Sequence, residues 1–202
     1  MKPIANYDSA KEEAKKKSQS FPKLPVGGYV LKVESVRYEK GEEGRNDNIV
    51  LAFDIAEGEQ KGYFKKQFDA NTDENKKWKG TTKIRVPKED GSGAEWETNR
   101  FAQTMNYFED SNSGYIWNWD EKTLKGKCIG AIFGEVQKPI DGKDVTWVAF
   151  RWFANAEDIR KNAYKIPDKK VYGSVEDSSD NKGTSDSDFM DLSGNVKEDL
   201  PF

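Results

Sequence analysis

The run Asn75-Lys76-Lys77-Trp78-Lys79-Gly80-Thr81-Thr82-Lys83-Ile84-Arg85 sets one tryptophan among five cations. Cations track phosphates and an aromatic face stacks on a base, worth roughly 1–3 kcal/mol per base, so this interleaving suits a groove for a single-stranded nucleic acid. The competing reading has Trp78 anchoring a loop to the body while the lysines are merely solvated. Two more pairs could join such a surface. Along 145–153, Thr146, Val148, Phe150 and Trp152 alternate with Trp147, Ala149 and Arg151, and putting Arg151 in water turns Trp147 outward and Trp152 inward. Along 62–68, Phe64, Lys66 and Phe68 read as the core side, which leaves Tyr63 and Lys65 on the surface.

Other chemistry lacks its reagents. The 202-residue chain has no His and one Cys, so His-dependent nucleophiles, His-ligated metals, thiolate zinc sites and internal disulfides are excluded. Cys128 falls in an apolar run, where burial raises a thiol pKa and suppresses its reactivity. Asp168 and the Asp180-Asn181-Lys182 triplet superficially match the spaced acidic elements of a metal-dependent nuclease. The second element falls in a segment read below as disordered, where carboxylates are not held rigidly around a cation. No catalytic residue, cofactor or metal is expected.

The elements that must position these residues are mostly strands. Tyr29, Leu31 and Val33 alternate with Val30, Lys32 and Glu34, and Ile49, Leu51, Phe53 and Ile55 form the clearest apolar face. Further strands are expected over 62–68, 128–136 and 145–153, with 83–86 as a complicating extra one. Phe101, Met105 and Phe108 recur at i, i+4 and i+7 behind the cap candidates Thr98 and Asn99, which predicts a helix packed on the sheet. Five strands with a helix between the third and fourth follow the order of an OB-fold-like Greek-key barrel. A short helix over 9–18 is expected from Ser9 and Glu12, and Pro22 and Pro25 end this lead-in. The expected domains are therefore a lead-in over 1–26, a barrel over 27–173 and a tail over 174–202.

That tail carries eight carboxylates against two lysines, a net −6 in a chain whose total is −3, so residues 1–173 carry +3. Rich in Ser, Asp, Asn and Gly and lacking periodicity, it is read as disordered. It closes on Glu198, Asp199, Leu200, Pro201 and Phe202. Pro201 restricts the backbone before Phe202, whose ring and α-carboxylate together suit an apolar pocket rimmed by cations.

The ending resembles the tail of bacterial single-stranded DNA-binding proteins, in which an acidic cluster is followed by an aliphatic residue, Pro and a C-terminal Phe. Here the acidic cluster is thin. The resemblance implies a phage or prophage type of single-stranded DNA-binding protein. It would coat exposed strands in DNA replication and recombination, and recruit replication, recombination or repair proteins through residues 198–202. Its DNA surface is expected from Tyr63, Lys65, Lys76, Lys77, Trp78, Lys79, Lys83, Arg85, Trp147 and Arg151, with little preference among sequences. Apolar runs too short for a bilayer imply a location in the bacterial cytoplasm with no membrane partner, and a homo-oligomer is compatible with the sequence. The rival readings are a protein-interaction adaptor and a recombination mediator that anneals complementary strands.

Overall fold

A computed structural model describes residues 6–9, 11, 21–42, 45–88, 94–140 and 143–173. These build a mainly β body with one six-stranded sheet, in the spatial order β3 (Thr81–Arg85), β2 (Asn48–Ile55), β1 (Gly27–Glu39), β4 (Cys128–Ile140) and β5 (Lys143–Ala154), with β6 (Lys170–Val171) paired to β4. Strand β1 runs antiparallel to both β2 and β4. Its pairing with β2 contains a bulge. Val33 faces Phe53 and Ser35 faces Ala52, so Glu34 is the extra residue and bends the strand there. Strand β3 pairs with β2, β5 forms a long antiparallel ladder with β4, and β6 lies parallel to β4.

The region expected to be the third strand is a helix, α1 (Tyr63–Ala70). Its apolar residues Tyr63, Phe64 and Phe68 lie at helical spacing, and the cap comes from a distant strand. Asp54, on β2, accepts the Phe64 N–H at Oδ1 (2.9 Å) and the Lys65 N–H at Oδ2 (3.2 Å). It thereby satisfies amides that a helix N-terminus leaves without partners. The third strand of the sheet is instead Thr81–Arg85, which overlaps the complicating segment at 83–86.

Between β3 and β4 runs α2 (Glu95–Ser111), which buries Phe101, Met105 and Phe108 at the predicted spacing. It starts one turn earlier than predicted, so Thr98 and Asn99 lie inside it and Ala94 is the N-cap. The helix packs against both end strands of the open sheet, β3 and β5. A 3₁₀ turn (Glu121–Leu124) precedes β4, and a short helix, α3 (Ala156–Arg160), follows β5. The core joins Leu31, Phe53, Phe64, Phe101, Phe108 and Phe133. The lead-in contributes too: Leu24 is buried in this core and the phenol of Tyr63 donates to the Pro22 carbonyl at 2.8 Å.

Most of the predicted helix at 9–18 and all of the acidic segment 174–202 lie outside the described residues. Among the described residues no helix is long and apolar enough to cross a membrane.

Candidate nucleic-acid interface

The two aromatic residues expected to face DNA on the first half of the surface are interior. Trp78 is 8% exposed, and its Nε1 donates to the carbonyls of Phe53 and Gly80, each at 3.1 Å. Gly80 is required beside it, since a Cβ there would come within 2.3 Å of the Phe53 carbonyl oxygen. Tyr63 is 7% exposed, with Phe21 and Phe64 edge-on at 5.2 Å. Both expected surface positions are corrected to core ones. A buried indole or phenol needs an acceptor, and here backbone carbonyls of neighbouring segments supply it.

The cations around them divide by partner. Lys65, Lys77 and Lys79 are exposed, with Lys65 3.6 Å from Asp69 on α1, and the Lys76 ammonium stands 4.4 Å from the Phe68 ring centroid. Lys83 pairs with Glu39 at 2.8 Å, and Arg85 with Glu97 at 2.9 Å. Burial pushes the Glu39 pKa up, but the hydrogen bonds and charges of Lys83 and Arg37 outweigh it and hold the carboxyl below its ordinary value. Carboxylates thus already offset three of the cations assigned to phosphate contact.

On β5 the expected faces hold only up to Phe150. Ile132 faces Trp152 while Phe133 faces Phe150, so Arg151 is an extra residue in a bulge and the alternation changes parity after it. Phe150 and Phe153 therefore both join the core, their rings 4.7 Å apart, and Trp152 turns outward to 40% exposure. The expected interior position of Trp152 is corrected to a surface one. Trp147, opposite Val136, is half-buried. Arg151 donates from Nη1 to the carbonyls of Glu135 (3.3 Å) and Asp168 (3.1 Å). These neutral acceptors orient the guanidinium without cancelling its charge, and it lies 5.9 Å from the Trp152 ring centroid.

Facing this bulge is the polar side of α2. Phe101, Met105 and Phe108 point to the core, so Trp96, Arg100 and Gln103, at i, i+4 and i+7, point away from it. The two walls border a shallow, open groove of about 880 Å³, with Lys170 of β6 on the strand side. Among the described residues, two tryptophans and three cations line it and no carboxylate does. Trp96 is 49% exposed, and the Arg85 guanidinium lies 5.9 Å from its ring centroid. Glu97, whose carboxylate also accepts from Asn46 Nδ2 at 3.1 Å, holds Arg85 there. Such a groove offers planar faces for bases and positive charge for phosphates.

Arg151 is thus the expected site residue that lines this groove. Trp96, Arg100, Trp152 and Lys170 were not expected in a site. The i, i+4, i+7 spacing of Trp96, Arg100 and Gln103, opposite the apolar stripe, was the available signal for the helix wall. Of the remaining tryptophans, Trp117 is half-buried against Phe101, and Trp119 stacks on Phe101 at 6.0 Å while staying largely exposed. Cys128 is half-buried, and burial, with the charge of Glu57, raises its thiol pKa. Among the described residues no three potential metal ligands gather. The docking residues Glu198, Asp199, Leu200, Pro201 and Phe202 lie outside the described residues. No protein-family model and no curated protein matches the sequence.

Proposed function

We propose that this protein binds single-stranded DNA, without catalysis, in the groove between α2 and β5. One observation carries the reading: Trp96 and Trp152 share that groove with Arg100, Arg151 and Lys170, with no carboxylate among the described lining residues. Exposed bases would stack on the two indoles while the cations neutralise the strand between them. A duplex keeps its bases stacked inside and cannot offer them to the indoles. The strand order β3-β2-β1-β4-β5, a bent β1 and a helix between β3 and β4 support an OB-fold-like architecture for this body. The resemblance of residues 198–202 to the docking tail of bacterial single-stranded DNA-binding proteins extends the proposal to a phage or prophage setting of DNA replication and recombination. There this segment would recruit partner proteins. The test is a titration of a fluorescein-labelled thymidine oligonucleotide at two salt concentrations, with a duplex of equal length as control. Affinity should fall with salt at a log-log slope of roughly −0.7 per phosphate contacted, and the duplex should bind more weakly. A flat salt response or equal affinity for the duplex contradicts the proposal.

A further inference from the structure

The groove holds more than stacking faces and charge. Its helix wall also carries three carboxamides, Asn99, Gln103 and Asn106, at i, i+4 and i+7 on α2. They form one stripe along the side that presents Trp96 and Arg100. A site that only coats strands needs no such stripe, because stacking and phosphate neutralisation act alike on every base. Carboxamides present a donor and an acceptor at fixed geometry, the means by which proteins read base edges.

Gln103 is the most constrained of the three. Its Nε2 donates to the phenolic oxygen of Tyr107, one turn further along, at 2.9 Å. Tyr107 is itself packed against the core, so its phenol is an anchored partner. This bond commits one of the two N–H groups of the carboxamide and orients the group, and Oε1 is its acceptor for an incoming base. A base stacked on an indole of the groove turns its edge toward its walls. Cytosine and adenine carry an exocyclic amino group there and can donate to Oε1. Thymine carries O4, and two acceptors facing each other repel.

Resting on the single-strand reading above, we infer that Gln103 makes the groove discriminate among bases, favouring those with an exocyclic amino group over thymine. Tyr107 is the positioning residue for that contact. Neither side chain neutralises phosphate, so their effect falls on base preference and leaves the electrostatic part of affinity unchanged.

The experiment compares cytidine and thymidine deoxyoligonucleotides of equal length on the full chain, at one moderate salt concentration and slightly alkaline pH. The two pyrimidines match in ring size, so differences in self-stacking are small. The cytidine oligonucleotide should bind about two- to tenfold more tightly, the range of one net hydrogen bond. Gln103→Ala, an exposed helix position where Ala is favourable, should bring the ratio close to one, chiefly by weakening cytidine binding. Tyr107→Phe should lower the ratio without abolishing binding. Equal affinities in the unsubstituted chain, a preference for thymidine, or a ratio that survives Gln103→Ala would overturn the inference and leave the single-strand reading standing. Binding of neither oligonucleotide would overturn both.

Discussion

The indole Nε1 of Trp78 donates to the carbonyl oxygen of Phe53 at 3.1 Å, which ties the segment before β3 to the middle of β2. The same indole lies 5.8 Å from the Phe68 ring of α1, so one side chain joins β2, the segment leading into β3 and a helix. Removing it leaves a large cavity and an unmet carbonyl. Trp78→Ala should lower stability by about 3–5 kcal/mol, read from the midpoint of urea unfolding. A variant of unchanged midpoint that binds DNA poorly would return Trp78 to the role its flanking lysines suggested.

Asp54 should matter for a different reason. It is buried, and its carboxylate accepts the backbone N–H groups of Ile55, Phe64 and Lys65. Asp54→Ala strips α1 of its cap and leaves buried donors unmet, at a cost of about 2–4 kcal/mol. Asp54→Asn retains an acceptor oxygen and should cost less. Circular dichroism melts of the two variants check this ranking, and equal losses would mean that the carboxylate is not acting as a cap.

These two residues also mark where sequence reading runs out. The alternation through Leu51 and Phe53 and the helical spacing of Phe101, Met105 and Phe108 were legible because each signal is complete within its own element. Helix α1 was not, because its cap sits on β2, across an intervening loop, while the local order Tyr63-Phe64-Lys65-Lys66 also fits alternation. Trp152 was misplaced by a single bulge residue, Arg151, whose extra position is defined only by pairing with β4. Trp78 looked solvated because its neighbours are lysines. The acceptor that buries it lies twenty-five residues upstream. The groove was invisible for the same reason: its two walls meet only after the sheet has formed.

Acid should loosen the contact between α3 and the loop after β2. Arg160 grips Glu57 with Nε at 3.1 Å and Nη2 at 2.7 Å, and this hydrogen bonding holds the Glu57 carboxyl below its ordinary value of 4.5. A carboxyl with a lowered folded-state pKa stabilises the fold above its unfolded value and loses that contribution as pH falls through the folded one. The window therefore lies below about pH 4.5. Glu57→Gln should melt at a lower temperature than the unsubstituted protein at pH 7, and the gap should narrow as pH falls through that window. The pair is partly exposed, so the gap should be small and shrink in high salt. A gap that stays constant across this range would show that the pair contributes nothing through its charge.

The proposed stacking of bases falls on Trp96 and Trp152. It is tested most directly by the affinity of the Trp96→Ala/Trp152→Ala double variant for a labelled thymidine oligonucleotide, with the fold checked by circular dichroism. Both indoles are substantially exposed, so the variant should fold. It should bind more weakly by about 1–3 kcal/mol for each base that loses its stack, while keeping the salt dependence set by Arg100, Arg151 and Lys170. A folded double variant that binds the oligonucleotide as tightly as the unsubstituted protein would contradict the account, and DNA would have to lie elsewhere on the molecule.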